Sequence, residues 1–318
     1  SQKNLVPQAR LRMRGERRVP VWLLTPMAWG FLSVKAWLGS WQVAQEMVLS
    51  AYGQFAPDMA SIAKDFFDKR WIDAPSRPGK APGAFAHPTV PSAHPYVLLN
   101  YLGKTRDVMT LAHELGHAYH NFALKEAPAS LRRVPMTLAE TASIMNETLV
   151  VEAALKEASP EEGLLILDAY LQGAAQVVVD IHSRFLFESW VFQRRKAREL
   201  SPREFKELML KAQEEAYGEA LATRHPYMWA VKGHYYGADF YNYPYTFGLL
   251  FGLAVYQEAK EDPGFAGRYE ALLAESGRYR AKELALRFGF DLESVDFWRR
   301  GIRVLEEKVA QLERMISP

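Results

Sequence analysis

The sequence predicts a mainly α protein with a small β-sheet placed just before one chemically distinctive helix. Three observations predict it. From Gln42 onward, apolar residues recur every three or four positions over most of the chain, the period of amphipathic helices. A proline-rich stretch then interrupts that period and leads into one β-forming segment, Tyr96-Val-Leu-Leu-Asn-Tyr101, bounded by Pro95 and Gly103. Finally, Ser159-Pro160 and Ser201-Pro202 each set a capping side chain ahead of a first-turn proline, the signature of helix starts.

In chain order, residues 1–41 form an atypical N-terminal segment. Arg10, Arg12, Arg14, Arg17 and Arg18 precede an uncharged stretch from Val19 to Val34, and Trp22, Trp29, Trp37 and Trp41 lie close together. Pro20 and Pro26 interrupt the stretch and no small-residue cleavage site follows, so a packed or poorly ordered arm is expected rather than a signal or anchor. Residues 42–318 are expected to form the main domain. Helical periodicity runs from Gln42 to about Trp71; six prolines between Pro75 and Pro95 then predict a long loop with short extended pieces such as Gly83–His87. After the strand at 96–101, helices are expected at about 106–124, 137–157, 160–197, 202–217, 245–260, 263–276 and 293–316. The uncharged run Phe240–Gln257 contains Asn242, Pro244 and four tyrosines and suits a buried helix better than a membrane span. No repeat or low-complexity segment occurs.

Composition narrows the chemistry. Among 318 residues, 39 basic side chains against 37 acidic ones leave no global field to hold nucleic acid or an anionic membrane. Cysteine is absent, so a metal here must sit on nitrogen and oxygen ligands. The compartment expected is the cytoplasm.

The first of the expected helices after the strand carries His113-Glu114-Leu115-Gly116-His117. Histidines four apart stand one turn above each other, close enough for both imidazoles to reach one zinc ion. Glu114 lies beside that face, placed to take a proton from an attacking water and pass it to a leaving amine. A catalytic zinc of this type takes a third protein ligand. His120 lies three residues beyond His117, but the better candidate is Glu140, at the start of Leu138-Ala-Glu-Thr-Ala-Ser-Ile-Met-Asn-Glu147. There, carboxylates and a hydroxyl stand among apolar neighbours, where unpartnered burial would be costly. Glu147 reads equally as an acceptor orienting a ligand histidine or as a solvated surface carboxylate.

The run Leu111-Ala-His-Glu-Leu-Gly-His-Ala-Tyr-His120, the later Leu138-Ala-Glu-Thr-Ala-Ser with Asn146-Glu147, and the tyrosine-rich His234-Tyr-Tyr-Gly-Ala-Asp-Phe-Tyr-Asn-Tyr-Pro-Tyr245 together resemble the oligoendopeptidase F branch of the thimet oligopeptidase family. The resemblance runs from about Trp41 to the C-terminus and covers the family's catalytic half. It implies a zincin-like helical catalytic domain and one Zn2+ per chain on His113, His117 and Glu140. Glu114 is then the general base of a metalloendopeptidase that hydrolyses oligopeptides through a zinc-activated water. The resemblance also implies oxyanion-stabilising roles in the third segment, for which His234, Tyr236 and Tyr243 are the candidates. Tyr235, Tyr241 and Tyr245 are close rivals, and Phe240 stands where some relatives have tyrosine. An extended peptide is expected to add as a strand beside the β element. His87, His94, His182 and His225 have no partner pattern and read as incidental or structural. Family members are usually longer, with a helical N-terminal half walling a channel, so either a compact or truncated variant with an open cleft or a partner subunit that supplies the missing wall is expected, with homo-oligomerisation as one way to cover the apolar surface. The alternative is a catalytically weak peptide-binding remnant. Neither nucleic acid nor membrane is expected as a partner.

Overall fold

The computed structural model describes residues 40–88, 94–262 and 264–316, with the backbone of 10–12 and 18–20. The expectations for the rest of the 1–41 segment, including Trp22, Trp29 and Trp37, lie outside the described residues. The architecture is mainly α with one small three-stranded sheet, as the periodicity predicts. Strands β1 (Arg10–Arg12) and β2 (Arg18–Pro20) pair antiparallel. The chain divides into two compact units, one of residues 34–171 with 247–318 and one of residues 1–33 with 172–246.

In the first unit, α1 (Trp41–Phe55) begins at Ser40, whose Oγ accepts from the Val43 N–H at 3.3 Å. The single helix expected to Trp71 is two, because Pro57 opens α2 (Pro57–Asp68) and the residue before it, Ala56, is extended at φ −151° and ψ 118°. A proline pushes its predecessor out of the helical region, so the chain turns there. The extended piece expected at Gly83–His87 is ordered as a strand, and a further strand stands just ahead of the expected loop. β3 (Ile72–Pro75), β4 (Phe85–His87) and β5 (Tyr96–Tyr101) form a sheet in the order β3-β5-β4, with β3 parallel and β4 antiparallel to β5. Two side chains tie down the loop between β3 and β4. Lys80 Nζ donates to the carbonyls of Asp73, Pro75 and Leu99 at 2.8, 2.9 and 2.6 Å. Asn100 Nδ2 donates to those of Ala81 and Gly83 at 2.9 and 3.1 Å.

Beneath the sheet runs α3 (Thr105–Ala123), packed on α4 (Thr141–Glu157). Their approach is close because residue 116 is glycine: a Cβ there would meet the Ala142 carbonyl oxygen at 2.6 Å. Val97, Leu99, Leu111, Leu115 and Met145 belong to the one large core of this unit. Tyr52 closes it by donating from its buried hydroxyl to the Ala112 carbonyl at 2.9 Å.

α5 (Pro160–Ala175) continues through a wide turn at Gln176–Asp180 into α6 (Ile181–Arg195). By length and composition alone, Pro160–Arg195 is long and apolar enough to cross a membrane. The second unit then adds α7 (Pro202–Tyr217), capped by a reciprocal Ser201–Glu204 box, and the short α8 (His234–Gly237). α9 (Tyr243–Glu261), α10 (Phe265–Glu275), α11 (Ala281–Arg287) and α12 (Val295–Ile316) complete the chain. Among these, α11 has no counterpart in the periodicity reading.

Candidate metal centre and active site

α3 presents His113 and His117 on one face, their rings edge to face at 4.9 Å. Glu140 enters from the start of α4. It sits at the N-cap, φ −97° and ψ 5°, one residue outside the helix in which its spacing had placed it. From that turn its Oε2 lies 3.2 Å from His113 Nε2 and 3.4 Å from His117 Nε2. One ligand atom from each of the three falls within 4.8 Å of the others, an arrangement that could hold a metal ion. Ser143 fixes the carboxylate, its Oγ donating to Glu140 Oε2 at 2.9 Å. Glu147 approaches His113 from the other side, its Oε2 3.4 Å from Nδ1, so of its two readings the structure supports the orienting acceptor. His120 turns away: it is buried and its Nε2 lies 2.8 Å from Ser276 Oγ.

The electrostatics follow from this crowding. Burial alone would depress His113, but hydrogen bonds to Glu140 and Glu147 outweigh it and push the imidazole up to about 10. Glu140, whose burial would raise it, is held well below the ordinary carboxylate range by His113 and His117. Two imidazoles and a carboxylate converging without thiolate form the nitrogen and oxygen set that suits zinc. Glu114 is different. Burial raises its carboxyl, only partly offset by the two histidines, and the Ala86 backbone N–H donates to it from β4. Its Oε2 is buried with no hydrogen-bond partner. An orphaned carboxylate oxygen beside a converging ligand set fits a site whose remaining occupants are a metal and a water.

The second unit carries the tyrosine-rich segment. Here His234 stands with two of the rivals: its Nε2 is 3.3 Å from Tyr245 Oη, and its ring stacks on Tyr241 with centroids 6.2 Å apart. Tyr236 is 67% exposed and donates to the Trp229 carbonyl at 3.1 Å, while Tyr243 meets Phe185 edge-on. The segment is held by Glu188 of α6. Its buried carboxylate accepts from the Phe240 N–H at 2.7 Å and from Asn242 Nδ2 at 3.2 Å, and Phe240 is left-handed at φ 58°. No sequence pattern pointed to Glu188, because its partners lie more than 50 positions away. Of the remaining histidines, His94 stacks on Trp71, His225 exchanges hydrogen bonds with Gln213, and His182 is exposed.

The family model that matches this chain is that of peptidase family M3, over residues 55–304. The chain belongs to peptidase family M3. Among M3 relatives, an oligoendopeptidase F homologue of Lactococcus lactis subsp. lactis is 29% identical over 86% of this chain and 45% of its own length. Oligopeptidase PepF of Bacillus subtilis is 25% identical over 87% of this chain and 42% of its own length. A crystal structure ascribed to a peptidase of Chlamydophila abortus superposes with TM-score 0.74 at 25% identity, covering 87% of this chain and 47% of that one. Oligoendopeptidase F of Enterococcus faecium shares the fold, with TM-score 0.60 at 20% identity over 86% of this chain and 43% of that one. The chain thus spans less than half the length of these M3 relatives.

Proposed function

We propose that this chain is a zinc metallopeptidase that cleaves internal bonds of oligopeptides. The observation that carries the reading is the convergence of His113, His117 and Glu140 beside the unpartnered oxygen of Glu114. His113, His117 and Glu140 would hold the metal, and Ser143 and Glu147 orient two of these ligands. When bound, zinc supplies Lewis-acid polarisation of the scissile carbonyl and activation of a water. Glu114 supplies the proton chemistry. Its Oε2, buried and without a hydrogen-bond partner, can accept a proton from the attacking water, and the carboxyl can return it to the leaving amine. Burial favours this task by raising its proton affinity.

The substrate seat is β4. It is an edge strand among the described residues, and its Ala86 already touches the general base. A peptide adding to that edge pairs through its backbone, which accepts many sequences and selects extended chains.

The test uses an internally quenched oligopeptide with zinc content assayed in the same samples. Glu114→Gln retains zinc and lowers turnover by about 10²- to 10⁴-fold, the range for loss of a general acid–base. Zinc binding without cleavage by the wild type would overturn the peptidase reading and leave a peptide-binding module. Undiminished cleavage by Glu114→Gln would overturn the role of Glu114.

A further inference from the structure

We infer that Phe85 sets a side-chain preference on the substrate, selecting a peptide with an aromatic or large apolar residue at one position beside β4. The inference rests on the reading of β4 as the peptide seat and adds the class of side chain it takes.

Successive residues of a strand point to opposite faces of its sheet. In β4, Ala86 faces the core, while Phe85 and His87 face outward. The register places Phe85 opposite Leu98 of β5, so an apolar neighbour stands behind the ring within the sheet. On its other side is the open edge, and Phe85 remains 47% exposed although it is a large apolar residue. β4 pairs with β5 on one side only among the described residues, so its other side is open to an added strand. A peptide seated there places alternate side chains on the outer face, and one of them lies directly beside Phe85. Cross-strand neighbours of this kind attract when both are aromatic or apolar.

The position of the ring is fixed from behind. The loop leading into β4 is tied to the sheet by Lys80, whose side chain is 1% exposed, and by Asn100. Phe85 therefore meets the substrate as part of a preformed edge, with little ordering left to be done on binding.

The experiment compares wild type with Phe85→Ala and Phe85→Lys on a set of quenched peptides. Each peptide carries Phe, Ser or Glu in turn at every position flanking the cleaved bond. Wild type is expected to favour Phe over Ser by about fivefold in kcat/KM at one position. In Phe85→Ala that ratio falls to about one, and Phe85→Lys transfers the preference at the same position to Glu by a similar factor. A preference pattern identical in all three proteins would overturn the inference while leaving the peptidase reading intact. Should the wild type not cleave, the same peptides are ranked by fluorescence anisotropy on the zinc-loaded chain. A Phe preference lost in Phe85→Ala then supports the role of Phe85, and its absence overturns it. Because Phe85 is half exposed, the variants are expected to melt within a few degrees of wild type.

Discussion

Glu147 approaches His113 Nδ1 while Glu140 takes Nε2 of the same ring, so two carboxylates fix one imidazole from opposite sides. Partners of this kind set ring orientation and ligand basicity, and losing one costs about 10- to 100-fold in metal affinity. Glu147→Ala is therefore expected to weaken zinc binding by about tenfold or more, measured by competition with a chromophoric chelator; an unchanged affinity would return Glu147 to a surface role. Its two readings were equal in the sequence because helical spacing cannot tell which side of His113 a residue on another helix meets. Glu188 makes a second prediction at this scale. Burial raises its carboxyl above the ordinary value of 4.5, although Phe240 and Asn242 donate to it. A raised acid binds its proton more tightly folded than unfolded, so its contribution is present below 4.5 and is lost as pH rises through the folded value. Glu188→Gln removes that decline, and denaturant midpoints for the two proteins from pH 4 to 7 should converge at the acid end relative to the neutral end.

The ligand set depends on how closely its elements approach. Gly248 of α9 lies against Glu140, where a Cβ would stand 2.7 Å from Glu140 Cβ and 2.8 Å from its carbonyl. One turn further on, a Cβ on Gly252 would meet only ordinary contacts, the nearest at 3.5 Å. Gly248→Ala is thus expected to shift the Glu140 turn, lowering zinc affinity at least tenfold and stability by about 1–3 kcal/mol. Gly252→Ala should do neither, and equal effects from both would show that the close approach is unimportant to the site. The helices themselves were legible because an amphipathic period is written locally, and His113, Glu114 and His117 were legible with them. Other features depend on partners distant in the chain. Ile72–Pro75 becomes a strand only by pairing with Tyr96–Tyr101, a partner more than 20 positions away that no local pattern shows. Glu140 was found by its chemistry, but its helical placement was wrong by one residue, since a polar stripe does not reveal that a helix begins after the ligand. The grouping of His234 with Tyr241 and Tyr245 was hidden for a related reason: the left-handed residue at Phe240 turns the segment, and five tyrosines in a row of twelve offer no period to read.

At the scale of the whole molecule, the metal is expected to act as a tie. Its ligands come from α3 and from the turn before α4, whose packed pair lies within the large core of the 34–171 and 247–318 unit. Without a metal, Glu140 is held by the histidines themselves, at the cost of keeping His113 protonated up to about 10. A bound cation replaces that proton and binds the folded ligand set far better than the separated side chains of the unfolded chain. Ligand binding to the native state alone stabilises it by about 4 kcal/mol at a thousandfold excess over Kd. For a unit of this size, that raises Tm by roughly 8–16 °C. Zinc added to chelator-treated chain should produce this shift, and His113→Ala should abolish it because two of the three ligands no longer close the site. The same variant discriminates the origin of the effect. If zinc raised the Tm of His113→Ala as much as that of wild type, the stabilising ion would be bound elsewhere, and the convergence of the three residues would be an ion-pair cluster of the core rather than a metal centre.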